Sequence, residues 1–158
     1  MKAVEINKTG GSEVLEVKEI TLGKPGPDEV TIEQKAIGLN YIDTYHRSGL
    51  YPLKLPSGIG LEGAGVVTEV GDNVNDFKVG DKISYAGIPL GSYSTHRNYP
   101  TKNLVKVPEG IDLNVAATLM TKGLTTFYLL HKTYPVKSGE TILSVSYTHL
   151  RAHETDSY

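Results

Sequence analysis

The chain has 158 residues, enough for one domain and part of a second, and long enough to bury a sizeable core. Its 16 Lys and Arg against 18 Asp and Glu give a formal charge of −2, which argues against a nucleic-acid-binding protein because such proteins carry a basic surface. The lack of cysteine excludes a disulfide scaffold and any thiolate zinc site in this sequence. With neither a signal core nor a run of about 18 apolar residues, we expect a soluble, cytoplasmic protein without a membrane partner.

The first two thirds of the chain are typical of a β-rich domain. The 17 glycines and 8 prolines indicate many turns. Alternating residues at Lys2–Asn7 and Val14–Ile20 flank Gly10 and Gly11 and predict a hairpin. Further short strands are predicted at Glu29–Gly38, Val66–Val70, Asp81–Ala86 and Leu104–Val107. Strands at this spacing favour a barrel or a sandwich.

A helical segment is predicted after these strands. Its apolar stripe recurs at helical spacing and comprises Ala116, Leu119, Met120, Gly123, Leu124, Phe127 and Tyr128. Asp112 or Asn114 could cap the start of this helix. Gly123 could divide the stripe into two helices, with Thr121 as a second cap.

The end of the sequence changes character. After a turn predicted at 137–140, Thr141–Leu143 is expected to begin a buried strand. The residues that follow have neither a helical nor a strand period. Val145–Tyr158 resembles one reading frame of a transposase-type sequencing adapter, so we interpret it as a non-native tail and exclude it from the fold.

The segment of greatest chemical interest runs from residue 36 to residue 52 with the sequence AIGLNYIDTYHRSGLYP. After a predicted strand it places an amide, a carboxylate and three phenols in what we predict to be a turn-rich surface stretch, where binding groups concentrate. The segment resembles the active-site segment of the zinc-free quinone reductases, the zeta-crystallin-like branch of the medium-chain dehydrogenase/reductase superfamily. This resemblance covers Met1 to about Leu143, the first half of the family pattern.

The resemblance implies a fold and a domain division. Residues 1–112 would form a mainly β GroES-like barrel domain. Residues 113–144 would supply the first helices and strand of a truncated α/β Rossmann domain, followed by the tail at 145–158. The nucleotide-binding turn of the family would come directly after Leu143.

The resemblance also implies site residues. It assigns catalytic roles beside the nicotinamide and the quinone to Asn40, Tyr45 and Tyr51. The implied cofactor-binding residues are Asn40, Ile42, Asp43, Thr44, Tyr45 and Thr125. Phenols and amides suit this task because they donate hydrogen bonds to a quinone oxygen as negative charge develops, without ionising at neutral pH.

A second segment, Gly60–Gly71, bears on metal binding. Where zinc alcohol dehydrogenases carry a zinc-binding His in a Gly-His-Glu motif, this chain has Leu61, and their zinc-binding Cys aligns with Asn40. Because both ligands are replaced and cysteine is absent, no tetrahedral N/S set remains, and we expect no metal site. Glu62 is expected to make a structural hydrogen bond or ion pair.

One formal motif is expected to have no function. Gly58–Gly63 matches G-x-G-x-x-G, but a dinucleotide fingerprint must follow a strand and open a helix. Here the motif follows Pro56 and Ser57 and leads into a β-branched strand. We therefore do not expect it to bind phosphate.

For the intact protein, the resemblance implies an NADPH:quinone oxidoreductase, with a quinone-type acceptor and a homodimeric assembly. Most of the NADPH site would lie outside this chain, which we expect to be inactive alone. Two alternatives stay open. One is a zinc-free enoyl-thioester or alkenal reductase of the same superfamily, and the other is a non-catalytic GroES-like binding module.

Overall fold

The computed structural model describes residues 1–143. The strands are β1 (Lys2–Ile6), β2 (Glu16–Glu19), β3 (Glu29–Gly38), β4 (Ser57–Gly58), β5 (Glu62–Val70), β6 (Lys82–Ala86), β7 (His96–Pro100) and β8 (Leu104–Lys106). The helices are α1 (Tyr41–Ser48) and α2 (Leu113–Tyr128), and a π-helical turn at Leu129–Thr133 continues α2. Short 3-10 turns lie at Ser12–Val14 and Thr101–Asn103.

The strands form two antiparallel sheets. A three-stranded sheet has the order β2-β1-β4, and a five-stranded sheet has the order β7-β3-β5-β6-β8. The long strand β3 pairs with β5 on one side and with β7 on the other. An isolated bridge between Ala3 and Ser94 joins β1 to the segment that precedes β7. The strand-rich architecture predicted from the sequence is therefore present.

The main core follows from the two-residue period of the strands. Side chains on one face of the five-stranded sheet point inward because successive residues of a strand alternate between faces. The buried members of this core are Val30, Ile32, Val67, Ile83, Tyr85, Tyr99 and Leu104. A smaller core of Ile6, Val14 and Ile59 lies under the three-stranded sheet.

The first half of α2 packs closely against the five-stranded sheet. Its contact residues Ala116 and Ala117 meet Ala64 of β5, and small side chains let the backbones approach. The Ser84 hydroxyl donates to the Ala116 carbonyl at 2.8 Å. A Cβ at Gly38 would collide with the Ala117 carbonyl oxygen, so the end of β3 needs glycine for this packing.

The loop after β6 is held in place by Arg97 of β7, which is only 7% exposed. Its guanidinium carbon lies 5.1 Å from the ring centroid of Tyr85 and 4.5 Å from that of Tyr99. Its Nη2 donates to the carbonyls of Pro89 and Leu90 at 2.7 and 3.2 Å. Stacking and carbonyl bonds thus solvate a buried cation and hold the loop.

Most predicted elements are confirmed. The hairpin is the β1–β2 pair, and the strand predicted at Glu29–Gly38 is β3. The strand predicted to start at Val66 begins four residues earlier, at Glu62. Strands β4 and β7 were not predicted from the sequence. The Asp112 cap is confirmed, because its Oδ1 accepts the backbone N–H of Asn114 at 2.8 Å.

Three expectations are wrong. The segment predicted to be turn-rich contains α1, because both of its ends are capped as described below. Gly123 does not divide α2, which runs through it without interruption, since one glycine costs a packed helix only about 1 kcal/mol. Thr141–Leu143 forms no strand, and Ile142 and Leu143 are 55% and 85% exposed. Nothing in the described part of the chain pairs with these residues, so their backbone lacks the ladder that a strand requires.

Contacts within the chain define two compact units, Met1–Leu124 and a second that begins at Thr125. Within the second unit, the predicted turn at 137–140 is confirmed, because the backbone N–H of Lys137 donates to Glu140 Oε2 at 2.8 Å. The domain limits 1–112 and 113–144 stay predictions. The non-native tail predicted at 145–158 lies outside the described residues. Within residues 1–143, no helix is both long and apolar enough to span a bilayer.

Candidate active site

Helix α1 exists because both of its ends are capped. Asn40 precedes it in extended conformation, and the Asp43 carboxylate accepts the backbone N–H of Asn40 at 3.0 Å. At the other end Gly49 adopts the left-handed conformation, with φ of 86°, and donates to the Tyr45 carbonyl at 3.1 Å. The Asn-x-x-Asp spacing and the glycine are local signals that could have predicted this helix.

Three phenol rings line α1 and the residues after it. The ring centroids of Tyr41 and Tyr45 are 5.3 Å apart, and those of Tyr45 and Tyr51 are 5.4 Å apart. The backbone N–H of Tyr51 donates to the Tyr45 carbonyl at 3.1 Å, which holds the loop against the helix. Tyr51 is 46% exposed. The two predicted catalytic phenols therefore lie side by side, and Tyr51 is partly exposed to solvent.

Asn40, the third predicted catalytic residue, is held between the buried Glu62 and the exposed Lys122. Its Nδ2 donates to Glu62 Oε2 at 2.8 Å, and its Oδ1 accepts from Lys122 Nζ at 3.1 Å. Glu62 is completely buried, and its Oε1 accepts the backbone N–H of Thr121 at 2.7 Å. The structural hydrogen bond expected for Glu62 is confirmed.

The Asp43 carboxylate points inward and is 3% exposed. Besides capping α1, its Oδ2 accepts a hydrogen bond from the Tyr93 hydroxyl at 2.8 Å. Burial, and then this bond to Asp43, raise the pKa of Tyr93 well above its ordinary value. The cofactor contact of Asp43 stays a prediction, while the structure shows that its side chain has a capping role.

The other predicted cofactor-binding residues are less constrained. Ile42 and Thr44 lie on α1, where both are partly buried, and the Thr44 hydroxyl donates to the Tyr41 carbonyl at 2.7 Å. Thr125 is exposed and opens the second compact unit. The structure thus brings the predicted residues of α1 and its flanks together, and the contact assigned to Thr125 stays a prediction.

Two participants in this network were missed by the sequence analysis. Tyr93 and Lys122 are 50 and 82 residues from their partners Asp43 and Asn40. No short motif signals such distant pairs. Only the fold, which brings the loop before β7 and helix α2 to the start of α1, reveals them.

The G-x-G-x-x-G match at 58–63 is not a phosphate cradle. It leads into β5, as expected, rather than into a helix. A Cβ at Gly60 would collide with the Ser92 hydroxyl and the Tyr93 ring, and one at Gly58 would lie 2.9 Å from the Gly91 Cα. These glycines serve close packing of the 91–93 segment. Among the described residues, no group of three or more His, Cys, Asp or Glu could hold a metal ion.

Comparison with known proteins identifies the family. Residues 26–109 match the family model of the alcohol dehydrogenase GroES-like domain. The chain belongs to this family. Its resemblance to the quinone oxidoreductases is also confirmed, and the two antiparallel sheets described above are the GroES-like fold of the medium-chain dehydrogenase/reductase superfamily.

The chain is similar to quinone oxidoreductases and to a 2-haloacrylate reductase. It is 53% identical over 143 residues to a quinone oxidoreductase of Pseudomonas aeruginosa, and the aligned region covers 90% of this chain and 44% of that protein. It is 45% identical over 147 residues to a 2-haloacrylate reductase of a Burkholderia species, covering 89% and 44%. The structure of Escherichia coli quinone oxidoreductase complexed with NADPH superposes with a TM-score of 0.86 at 46% identity, covering 89% and 43%. The chain therefore spans less than half the length of these relatives.

Proposed function

We propose that the intact protein is an NADPH-dependent quinone oxidoreductase whose acceptor site is built on α1 and its flanks. The observation that carries this proposal is the grouping of Asn40, Tyr45 and Tyr51 around one short helix, in a chain that is 53% identical to a quinone oxidoreductase. Bound NADPH supplies the reducing equivalents, as a hydride or as single electrons. The residues of this chain bind and polarise the acceptor.

Each proposed catalytic residue has a physical task. Tyr45 and Tyr51 donate hydrogen bonds to the quinone oxygen, which gains negative charge during reduction. Their neighbouring rings also offer an aromatic face to a flat acceptor. Asn40 is held in one orientation at the start of the same helix and supplies an uncharged amide. None of these groups has to ionise at neutral pH.

The residues present fit the nicotinamide end of the cofactor, which is uncharged and polar in its reduced form. Asn40, the residues 42–45 of α1, and Thr125 would contact it. The packed glycines at 58–63 leave no cradle for the dinucleotide phosphates in that segment, so those phosphates would bind to a part of the intact protein that this chain does not include. A zinc-independent reaction and a homodimeric assembly form part of the proposal.

A second candidate has its own support. The 45% identity to a 2-haloacrylate reductase favours reduction of a carbon–carbon double bond conjugated to an acyl group. The same hydrogen-bond donors would then polarise the acyl oxygen, which gains negative charge in the same way. This is the alkene-reductase alternative that the sequence left open.

Acceptor preference tests both candidates. Purified intact protein is given NADPH with 1,4-benzoquinone, 2-chloroacrylate or an enoyl thioester, and NADPH oxidation is followed with and without EDTA. We expect the quinone to be reduced with the highest kcat/KM and the rate to be unchanged by EDTA. Faster reduction of either alkene would favour the second candidate. If no acceptor is reduced, the binding-module alternative gains support.

A further inference from the structure

A completely buried carboxylate connects the elements around the proposed site. Glu62 of β5 accepts hydrogen bonds from Asn40 at the start of α1 and from the backbone of Thr121 in α2. We propose that Glu62 is a positioning residue that fixes the orientation of the Asn40 amide toward the reacting groups. The inference rests on the proposed function, because only that function gives Asn40 a role at the reacting groups.

The orientation of the Asn40 amide follows from the chemistry of its two neighbours. Lys122 Nζ can only donate, so the atom 3.1 Å from it is the amide oxygen. The amide nitrogen then faces Glu62 Oε2, 2.8 Å away, and an ionised carboxylate can only accept. Both neighbours therefore select the same orientation.

The second carboxylate oxygen of Glu62 also accepts a hydrogen bond. Glu62 Oε1 accepts the Thr121 backbone N–H at 2.7 Å. Since Glu62 is 0% exposed and Asn40 is 7% exposed, water has little access to replace a lost partner. A Cβ at Gly38 would lie 2.8 Å from Glu62 Oε2, so the end of β3 leaves just enough room for the bond to Asn40. Both side-chain oxygens of Glu62 are therefore needed as acceptors, one for Asn40 and one for Thr121.

Glu62→Gln keeps the shape of the side chain and removes one acceptor. The Thr121 N–H would take the remaining oxygen, which leaves the new amide nitrogen facing the Asn40 nitrogen. If the Asn40 amide turned over to relieve this clash, its nitrogen would face Lys122. The first orientation opposes two donors in a buried site. The second sets a donor against Lys122, whose exposed side chain would have to move away from Asn40, so a hydrogen bond is lost in either case.

A second substitution should repair this mismatch. In the Asn40→Asp/Glu62→Gln double variant, the new carboxylate at position 40 accepts from Lys122 and from the new amide at position 62. The Thr121 N–H still finds an oxygen, and the net charge of the network is unchanged. Asn40→Asp alone places two carboxylates in direct contact and should also destabilise.

Thermal unfolding of the 158-residue chain in dilute solution, where its exposed apolar surface associates least, tests the network without any assumption about activity. We expect each single variant to lower the unfolding midpoint by about 5 to 10 °C and the double variant to return to within about 2 °C of the unmodified chain. Glu5→Gln is the matched control, because the bond of Glu5 to Lys18, at 3.1 Å, joins side chains that are 33% and 34% exposed. An unchanged midpoint for Glu62→Gln, or a double variant no more stable than the weaker single variant, overturns the inference.

Rate measurements on the intact protein separate positioning from a purely structural role. Glu62→Gln should lower the quinone kcat by at least about tenfold. The double variant should regain stability and remain slow, because the amide is gone. A double variant that regains its rate together with its stability overturns the positioning role. An intact unmodified protein that reduces no quinone would instead remove the proposed function, while the unfolding pattern would still decide whether Glu62 orients Asn40.

Discussion

At the scale of single residues, Tyr45 and Tyr51 differ in their surroundings although their rings are neighbours. Tyr45 belongs to α1 and its ring lies between those of Tyr41 and Tyr51. Tyr51 lies in the loop after α1 and is 46% exposed. The open position of Tyr51 makes its hydroxyl the better placed of the two to meet an acceptor.

The first prediction concerns that hydroxyl. In the intact protein, Tyr51→Phe removes the donor and keeps the ring, so it should lower the quinone rate by about tenfold or more without changing NADPH affinity. Steady-state kinetics and NADPH fluorescence measure the two quantities. Tyr41→Phe, the same change on the far side of Tyr45, is the control and should be near neutral. Unchanged rates in both Tyr51→Phe and Tyr45→Phe would mean that the phenols only shape the pocket.

The second prediction concerns phenols at high pH. Burial raises the pKa values of Tyr85, Tyr93 and Tyr99 above the ordinary value near 10. A folded-state pKa above the unfolded value means that the stability contribution is complete below about pH 10 and is lost as pH rises through the folded pKa. We therefore expect the free energy of unfolding, measured in urea, to decline above about pH 10.

Tyr93→Phe is the matched variant for this measurement. It should make the decline above pH 10 shallower, because one of the three phenols is removed. At neutral pH it should cost about 1–3 kcal/mol, since the buried Asp43 carboxylate loses a donor. An equally steep decline in the variant would show that Tyr93 does not contribute to it.

At the scale of elements, one glycine packed against α2 and one inside it differ in the room that they leave for a side chain. Gly38, at the end of β3, has no room for a side chain because the Ala117 carbonyl lies against it. Gly123, inside α2, has room, because an added Cβ would meet only the Leu119 side chain at 3.1 Å. Leu119 is 52% exposed and can move aside.

The third prediction compares these glycines. Gly123→Ala should stabilise the chain by about 0.5–1 kcal/mol, because alanine loses less backbone entropy in a helix. Gly38→Ala should destabilise it by about 2 kcal/mol or more, because the helix would have to move away from the sheet. Midpoints of urea unfolding measure both. The same sign for the two substitutions would contradict the packing described for α2.

The elements were predictable where the signal is local. Alternation predicted β1, β2 and β3 closely because the buried face of a strand imposes a two-residue period. Strand β7 was missed because its sequence, HRNYP, is largely polar, and its buried Arg97 is satisfied by the carbonyls of a preceding loop, which no alternation of apolar residues reveals. Thr141–Leu143 has the composition of a strand, but a strand also needs a neighbour.

The residues of the candidate site also divide into those that a local segment predicted and those that only the fold brings together. Resemblance named Asn40, Tyr45 and Tyr51 because they lie within twelve consecutive residues. The partners that fix Asn40 come from β5 and α2, 22 and 82 residues away. Such contacts depend on how strands and helices pack, so no spacing rule could have predicted them.

At the scale of the whole molecule, α2 from Leu119 onward and the residues near 143 expose large apolar side chains. Each is more than half exposed: Leu119, Leu124, Phe127, Tyr128, Ile142 and Leu143. The chain spans about 44% of the length of its quinone oxidoreductase relative from Pseudomonas aeruginosa. Surface of this kind promotes association when nothing covers it, so we expect the isolated chain to be poorly soluble.

The fourth prediction is that the 158-residue chain binds NADPH very weakly and reduces no quinone. The described residues include no glycine-rich turn between a strand and a helix, which is what holds dinucleotide phosphates in Rossmann domains. Titration followed by NADPH fluorescence measures the affinity. Saturable binding in the micromolar range would contradict the prediction, since it would show that these residues hold the cofactor unaided. Replacing residues 145–158 with the Rossmann segment of a close relative should restore binding and turnover.

The loop after β6 has a consequence for protein engineering. Ile88 is 74% exposed, which would ordinarily make its surroundings attractive for inserting a tag or a domain. Yet the Ile88 carbonyl accepts from Asn103 Nδ2 at 3.0 Å, and Arg97 holds the two carbonyls that follow. An insertion there would strip three backbone acceptors from their donors and leave the Arg97 cation stranded in the core. The loop is exposed to solvent, but the hydrogen bonds to its carbonyls make it a poor site for an insertion.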